Sequence, residues 1–403
     1  MTALAEAPAL PTTEGGKWIG RDMTPVEIVA MLFVGSVGIM IAGLQPQLLG
    51  ALAQEGRLTD AELGRAATAE LLTIGIGAGV AGGMFKPVGL RWWGAGASLA
   101  LMLIDILVGG ESHLTAIFNR ALAGLAEGIM LWIPVGMIAR STTPGRWSGI
   151  FLAVQTLAQF FYSEILPATV MVKNGASGGF YALAATSLAA AFVSFLMPKS
   201  FDALHETKEG DAPAGAMSAR TIAALASVFL FMAFIVGFWS YFEPISAQAH
   251  HPAYVYNTAA SASLFAQVVG AFLASFVAGR VSFFPVIFFC TIANLAILGL
   301  VATMPGPAVF IAAAGVFGFL WLFLMPFQVP MMIEADSTRR AAVLMPGAQL
   351  TGCAFGPLIC SFAVRGNDVR GVLAVCAVSL VLAFAVAAWL HRRRRLPEPA
   401  MPA

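Results

Sequence analysis

Charged residues are scarce in this chain. Of its 403 residues only 11% are charged and 59% are hydrophobic, whereas roughly a quarter of the residues of a soluble protein are charged. This composition excludes a soluble enzyme. The 22 Lys and Arg residues nearly balance the 21 Asp and Glu residues, giving a formal net charge of +1. We therefore expect no nucleic-acid partner, because no overall field of one sign is present.

Cysteine, histidine and the common catalytic motifs are also rare or absent. The four cysteines lie in apolar stretches without the paired spacing of a metal site, at Cys290, Cys353, Cys360 and Cys376. All five histidines fall in loops or at the ends of apolar runs. HExxH, GxSxG and Walker A motifs do not occur. The sequence therefore predicts no enzyme, no cofactor and no metal site.

Long apolar runs dominate the chain instead. A membrane helix needs about 20 mostly apolar residues. Twelve such runs lie near 25–49, 60–84, 92–109, 114–139, 147–171, 178–197, 220–242, 254–279, 283–303, 307–331, 341–364 and 371–390. The fold class predicted is an all-α integral membrane protein with twelve transmembrane helices.

The longest polar stretch between these runs divides them into six and six. We predict a cytoplasmic tail over 1–24, a six-helix bundle over 25–198, a cytoplasmic linker over 199–219, a second six-helix bundle over 220–390 and a basic tail over 391–403. Two pseudo-symmetric bundles of this kind are typical of secondary transporters, which bind substrate between their repeats.

The distribution of basic residues predicts the orientation. With both termini inside, the cytoplasmic segments contain sixteen Lys and Arg residues and the outer segments five. Because cytoplasmic loops retain positive charge, we predict that both termini are cytoplasmic. The N-terminus lacks the basic and apolar regions of a signal peptide. We expect a monomer in the lipid bilayer of a bacterial inner (plasma) membrane.

Two local motifs extend the pattern. After span two the chain reads GMFKPVGLRWW, in which Gly89 and Arg91 match a known loop motif and Lys86 replaces its Asp. Span four contains RALAGLAEG, with Arg120 followed by glycines at 124 and 128, which let another helix pack closely there. With the six-plus-six layout, these features resemble the major facilitator superfamily (MFS) over essentially the whole chain. Span five lacks the Gly-Pro signature of the drug/proton antiporter branch, which argues against that subgroup.

Ionisable residues inside the spans are the candidates for ion coupling. Such groups cost roughly 2.5–3.5 kcal/mol each on insertion scales and usually face a cavity or a partner. The ion-coupling candidates are Glu70, Asp105, Arg120 and Glu127. Arg120 and Glu127 are nearly two helical turns apart and share a face. Arg120 could serve coupling or anchor a substrate, or it could form a structural ion pair with Asp105 or Glu70.

Polar and aromatic residues in the spans are the candidates for substrate binding. Gln155, Gln159 and Tyr162 form one polar stripe on helix five, which also contains Glu164. The resemblance implies a cavity lined by spans one, four, seven and ten. We expect substrate contacts from Arg120, Gln45, Gln155, Gln159, Tyr162, Trp132, Trp239, Tyr241, Gln267, Trp321 and Gln328. The alternative for each is core packing or, for Trp239 and Tyr241, an interfacial belt.

Two further segments suggest gating. Prolines at the predicted ends of spans one and ten, in LQPQ and LMPFQVP, are candidate kinks. The segment IEADSTRR is the densest charge cluster between spans, and we interpret it as a gate or a contact between the halves rather than an active site.

Together these features predict a transporter that moves a small organic solute, either an organic acid or an amphipathic compound, by alternating access. Protons are the expected coupling ion, so symport is the expected mode. One alternative is an efflux pump for lipophilic drugs, and another is a polytopic membrane enzyme or a sensor.

Overall fold

The described chain folds into α-helices. The structure is a computed structural model and describes residues 18–58, 60–202, 217–365 and 368–392. In chain order the helices are α1 (Pro25–Val37), α2 (Met40–Gln54), α3 (Asp60–Met84), α4 (Leu90–Val108), α5 (His113–Ala139), α6 (Pro144–Ala168), α7 (Val170–Val193), α8 (Ala219–Ser240), α9 (Phe242–Gln248), α10 (Ala253–Val277), α11 (Phe283–Ala302), α12 (Pro307–Ala335), α13 (Arg340–Ser361) and α14 (Arg370–Arg392). A 3-10 turn over Ser194–Leu196 follows α7.

Within the described ranges, twelve spans are long and apolar enough to cross a membrane, which confirms the predicted number. Span one consists of α1 and the first part of α2, span seven is α8, which the short α9 follows, and each remaining helix forms one span. The proposed N-terminal tail up to 17, most of the linker (203–216) and the basic tail from 393 lie outside the described residues.

The helix of span one is interrupted and a second helix break follows span seven, and the hydropathy pattern predicted neither break. Gly38 separates α1 from α2, and a Cβ placed there would lie 2.6 Å from the Cβ of Met130 and 2.9 Å from the carbonyl oxygen of Glu127. Only glycine permits that approach of span one to α5. Tyr241 separates α8 from α9. Helical structure continues beyond the predicted ends at 49 and 242, to Gln54 in α2 and Gln248 in α9.

The expected proline breaks are not helix ends. Helix α2 continues through Pro46, and α12 continues through Pro326 and Pro330 to Ala335. A proline inside a membrane helix removes one backbone hydrogen bond, and neighbouring helices can compensate for that loss. The prediction that these prolines mark span ends is therefore wrong for span ten, which continues to Ala335. The first apolar span ends at Gln45, next to Pro46, although the helix itself continues.

Each half is held together by a close crossing of its second and fourth spans. A Cβ on Gly124 of α5 would lie 2.5 Å from the carbonyl oxygen of Glu70 on α3, as the sequence predicted for a helix-packing glycine. In the other half, a Cβ on Gly318 of α12 would lie 2.3 Å from the carbonyl oxygen of Ser263 on α10. The same contact recurs in both halves because both use small residues where the backbones meet.

The two halves pack together toward one end of their spans. A Cβ on Gly82 of α3 would lie 3.0 Å from a methyl of Val343 on α13, and one on Gly149 of α6 would lie 2.9 Å from the Cα of Ser275 on α10. These residues lie in the parts of their spans nearest the predicted cytoplasmic side. The described contacts therefore close that side of the interface between the halves.

Candidate functional site

The ionisable residues predicted on three different helices meet at one buried point. Arg120 on α5 donates through Nη1 to Oδ1 of Asp105 on α4 at 2.7 Å. Its Nη2 donates to Glu70 on α3 and to Oε1 of Glu127, 3.1 Å away on its own helix. We call these four residues the acid cluster. The predicted proximity of Arg120 to Asp105 agrees with this geometry.

The acid cluster is shielded from solvent on all sides. Arg120 and Glu70 are 0% exposed, Asp105 is 1% exposed and Glu127 is 2% exposed. The ring of Phe180 on α7 lies 5.5 Å from the guanidinium carbon of Arg120. Since Arg120 is fully buried and binds three carboxyl groups, the geometry favours ion pairing over the predicted substrate contact.

Gln45 extends the acid cluster to span one. Its Nε2 donates to Oε2 of Glu70 at 3.0 Å and more weakly to the carbonyl oxygen of Ala67 at 3.5 Å. Gln45 is 9% exposed. The amide selected from the sequence as a substrate contact thus holds the second oxygen of a cluster carboxyl group.

A small cavity adjoins the acid cluster. Its lining residues come from spans one, three, four and six: Val37, Met40, Ile41, Leu101, Asp105, Glu127, Leu183, Thr186 and Ser187. The Oε2 atom of Glu127 is buried and has no hydrogen-bond partner in the described structure. We call this space the N-half cavity.

The predicted polar stripe of α6 contacts its own half. Gln159 donates through Nε2 to the carbonyl oxygen of Ile39 at 2.7 Å, which satisfies a backbone acceptor at the interruption of span one. The Tyr162 hydroxyl lies 2.6 Å from Oγ1 of Thr186 on α7. Gln155 is half-buried, and the side chain of Glu164 lies outside the described residues.

Aromatic rings occupy the other half at the corresponding depth. The ring of Trp239 on α8 lies 6.1 Å from that of Trp321 on α12, and Trp239 lies 5.2 Å from Phe242. Trp321 also lies 6.0 Å from Phe317. Trp239 is half-buried at the end of α8, one residue before Ser240, so both its substrate contact and the interfacial-belt alternative stay predictions. Tyr241 is half-buried at the break between α8 and α9.

The predicted amides of the second half have different surroundings. Gln267 on α10 is 5% exposed, and its Nε2 has no hydrogen-bond partner in the described structure; the same is true of Trp321 Nε1. Gln328 is 3% exposed and its Oε1 accepts from Nε2 of Gln349 at 3.3 Å. Trp132 is buried and packs edge-on against Phe85 at 6.0 Å. Gln267 and Trp321 thus each have a buried donor without a partner, whereas the side-chain oxygen of Gln328 is already bonded to Gln349.

The charged segment after α12 contacts the other half, in agreement with one of its predicted roles. Nη1 of Arg339 donates to the carbonyl oxygens of Ala139 at 2.7 Å and Ser141 at 2.8 Å. These acceptors lie at the end of α5, where helical carbonyls have no partner within the helix. Partial burial lowers the pKa of Arg339. Arg339 has φ of 63°, a left-handed conformation uncommon for arginine.

The sequence did not identify Thr186 or the acceptors of Arg339. Thr186 lies in an apolar run with no ionisable neighbour, and the acceptors are backbone atoms that no motif encodes. Arg140 is also held within the first half, donating to the carbonyl oxygen of Asp202 at 2.8 Å. Burial lowers the pKa of Arg140 to about 10, against the opposing effect of Asp202.

No protein-family model and no curated protein sequence matches the chain. Solved structures of MFS transporters do. FucP, in its outward conformation, is 13% identical with a TM-score of 0.72, covering 91% of this chain and 99% of FucP. The human organic anion transporter MFSD10 is 12% identical with a TM-score of 0.70, covering 91% of this chain and 100% of MFSD10.

The proton:xylose symporter XylE is also similar, at 12% identity with a TM-score of 0.66, covering 91% of this chain and 94% of XylE. Identities this low show the fold alone. The protein is a multi-pass integral membrane protein with the fold of the major facilitator superfamily transporters.

Proposed function

We propose that this protein is a secondary active transporter that moves a small organic solute by alternating access and couples the movement to protons. The observation that best supports the proposal is the acid cluster, where three carboxyl groups surround one buried guanidinium. Similarity in fold to an E. coli fucose:proton symporter and a proton:xylose symporter adds support. We propose no enzymatic activity.

The charge of the acid cluster supplies the argument for protons. Three ionised carboxylates and one guanidinium would have a net charge of −2. Burying unpaired charge costs several kcal/mol per ion, so a buried group takes up a proton instead. At least one carboxyl group of the acid cluster is therefore protonated when the site is closed to water.

Glu127 is the better proton carrier of the two glutamates considered from the sequence. Both oxygens of Glu70 are engaged, one by Arg120 and the other by Gln45. Glu127 has one oxygen on Arg120 and one without a partner, facing the N-half cavity. Protonating Glu127 therefore breaks fewer hydrogen bonds than protonating Glu70.

The solute we propose is neutral or amphipathic. Arg120 is 0% exposed and both its Nη atoms bond to carboxyl groups, while its Nε is buried without a partner. Because three carboxyl groups surround it, its charge is unavailable to an anion in this conformation. The partly exposed Trp239 and Trp321, with the unpartnered donors of Gln267 and Trp321, suit a molecule with an apolar face and hydrogen-bond acceptors. An organic acid, as transported by MFSD10 according to its name, is the competing outcome.

The conformation and setting complete the proposal. The described contacts between the halves close the predicted cytoplasmic side, so we propose that the structure is a state closed to the cytoplasm. We propose a monomer with both termini in the cytoplasm of a bacterial cell, because the basic residues concentrate on that side.

Transport by purified protein in proteoliposomes tests the proposal. Thermal-shift screening against sugars and polyols, organic acids and lipophilic cations would identify ligands, since a ligand of the folded state raises its stability. Ligands found in this way should accumulate inside proteoliposomes when a pH gradient is imposed, and a protonophore should abolish the accumulation. Uptake that is identical with and without the gradient would contradict proton coupling.

The Glu127→Gln variant gives the matched test. It removes the ionisable carboxyl group but keeps the size and one acceptor. We expect it to retain exchange of labelled solute across the membrane while losing accumulation driven by the pH gradient. The control is Gln349→Glu, which makes the reverse exchange of Gln and Glu in the other half. We expect that this variant does not create a proton-coupling site at 349. Full coupling in Glu127→Gln would exclude Glu127 as the proton carrier. Hits confined to lipophilic compounds would favour the efflux alternative.

A further inference from the structure

The N-half cavity has polar and apolar walls that meet at Glu127. Asp105, Glu127, Thr186 and Ser187 supply oxygen atoms, and the remaining lining side chains are apolar. The cavity has room for about one water molecule, and a polar cavity of that size commonly holds one. The unpartnered Oε2 of Glu127, in a residue only 2% exposed, is an acceptor that such a water would satisfy.

A pair of hydroxyl groups leads away from this cavity. Thr186 lines the cavity and donates through Oγ1 to the carbonyl oxygen of Ala182 at 2.8 Å. Its Oγ1 also lies 2.6 Å from the hydroxyl of Tyr162, which therefore acts as the donor of that bond. Tyr162 is half-buried on α6 and belongs to the polar stripe that includes Gln155 and Gln159. The hydroxyl pair thus joins the enclosed cavity to a partly exposed side chain.

The second half has a cavity in the corresponding place, between spans seven, nine, ten and twelve. Its two hydroxyl groups and the side-chain oxygen of Gln328 are all hydrogen-bonded. Ser227 donates to the carbonyl oxygen of Ala383 at 2.8 Å, Thr291 donates to that of Ile287 at 2.7 Å, and Gln328 accepts from Gln349. Of these two cavities, the N-half cavity is therefore the one that has an acceptor without a partner beside a pair of hydroxyl groups.

We infer that a water molecule in the N-half cavity and the hydroxyl groups of Thr186 and Tyr162 form the route by which the coupling proton reaches and leaves Glu127. The inference rests on the proposed proton coupling. Thr186 and Tyr162 carry the proton along this route.

The transfer conserves protons at every step. The carboxyl O–H of Glu127 gives its proton to the water, which passes one of its own to Thr186. For this release the two O–H groups first rotate, that of Thr186 from the carbonyl of Ala182 toward the Tyr162 oxygen and that of Tyr162 away from Thr186. Thr186 then passes its own proton to Tyr162, which gives one up at its partly exposed side. Each hydroxyl group receives a proton as it gives one, so no charge remains on it, and rotation of the O–H bonds restores the starting arrangement. The reverse sequence loads Glu127.

The charged groups around Glu127 set its proton affinity, and the relay leaves them unchanged. Arg120 faces it from its own helix, Asp105 from α4 and Glu70 from α3. The described residues that line the cavity from α1, α2 and α7 are uncharged. Substituting Thr186 or Tyr162 should therefore change the rate at which Glu127 exchanges its proton. The midpoint, the pH at which Glu127 is half protonated, should stay the same.

Infrared spectroscopy after a pH jump tests the inference on the purified full-length protein. The band of protonated buried carboxyl groups reports the acid cluster, and Glu127→Gln identifies the contribution of Glu127. We expect Tyr162→Phe and Thr186→Val to slow its appearance and decay by about tenfold or more, a typical effect of losing a proton-transfer group. Thr186→Ser, which keeps the hydroxyl group, should restore the rate.

Thr291→Val, in the cavity of the second half, is the matched control and should exchange protons at the wild-type rate. Unchanged rates in folded Tyr162→Phe and Thr186→Val, with a normal midpoint, would overturn the relay and leave the proposed coupling intact. Absence of a pH-dependent carboxyl band in the wild-type protein would instead overturn both. A shifted midpoint with an unchanged rate would show that Thr186 acts on the proton affinity and would also overturn the relay.

Discussion

The two halves of the protein share a helix crossing and differ in the chemistry that surrounds it. In the first half Gly124 meets the backbone of Glu70, and in the second Gly318 meets the backbone of Ser263. Glu70 and Ser263 therefore occupy equivalent positions. A carboxyl group engaged in an ion pair in one half corresponds to a small hydroxyl group in the other.

The same comparison extends along α5 and α12. Arg120 lies four residues before Gly124, and Ala314 lies four residues before Gly318. Glu127 lies three residues after Gly124, and Trp321 lies three residues after Gly318. The second half thus packs this crossing without any of these charges. Because the fold does not need them, the charges of the first half point to function.

Removing the central cation should have the largest effect. Arg120→Leu leaves three carboxyl groups without a counter-charge, and losing one member of a buried ion pair costs about 3–5 kcal/mol. We expect a large fall in melting temperature of the purified protein that is partly reversed at low pH, where the carboxyl groups are protonated. Ala314→Leu introduces the same residue at the equivalent position as the control. Equal losses of stability, both independent of pH, would contradict a special charge balance in the first half.

The shared crossing should respond equally in both halves. Gly124→Ala and Gly318→Ala each place a methyl group within 2.5 Å of a backbone oxygen. Overpacking of this kind costs about 1–3 kcal/mol, so thermal unfolding should show similar losses for the two variants. Gly315→Ala, on the same helix as Gly318 but with no atom within 4 Å, should be neutral or slightly stabilising. A loss confined to Gly124→Ala would break the structural equivalence of the halves.

The end of α5 depends on the second half, and this dependence is testable. Arg339→Gln removes the guanidinium that bonds to the carbonyl oxygens of Ala139 and Ser141. Hydrogen bonds from a charged donor contribute about 1.5–3 kcal/mol. The variant should therefore increase the population of the inward-facing state more than tenfold relative to the wild type. Cysteine labelling at the predicted cytoplasmic face measures that population. The control is Arg340→Gln, because Arg340 is the exposed neighbour of Arg339. Equal cysteine labelling in the two variants would argue against a role of Arg339 in closing the cytoplasmic side.

Much of the fold follows from the sequence because span length and hydropathy are local properties. Twelve spans and the packing role of Gly124 were predictable in this way. The contact of Arg120 with Asp105 was also accessible, because helix geometry fixes the depth of each residue. The bond between Gln45 and Glu70, the interruption at Gly38 and the acceptors of Arg339 depend on which helices become neighbours. Periodicity within one helix does not contain that information.

The smallest predicted effect concerns the outer ends of helices α2 and α9. After α2, Glu55 accepts through Oε1 from the backbone N–H of Ala176 at 2.6 Å. At the end of α9, Gln248 instead donates through Nε2 to Oδ1 of Asp368 at 2.8 Å and accepts from the backbone N–H of Val369 at 2.9 Å. The carboxylate of Glu55 and the amide of Gln248 thus both bind a backbone N–H group at the end of a helix. In the second half the charged residue is Asp368, in the loop that Gln248 contacts.

The pH dependence of Asp368 sharpens that comparison. The hydrogen bond from Gln248, helped by that from the backbone of Arg370, lowers the pKa of Asp368 below its ordinary value of 3.8. A carboxyl group with a lowered folded-state pKa stabilises the protein above its unfolded-state pKa, and this stabilisation is lost as the pH falls. Asp368→Asn keeps an acceptor for Gln248 but cannot ionise. We expect its melting temperature to be slightly lower than that of the wild type at neutral pH and to converge with it below about pH 4. A difference that persists unchanged at acidic pH would show that the contact acts through geometry rather than charge.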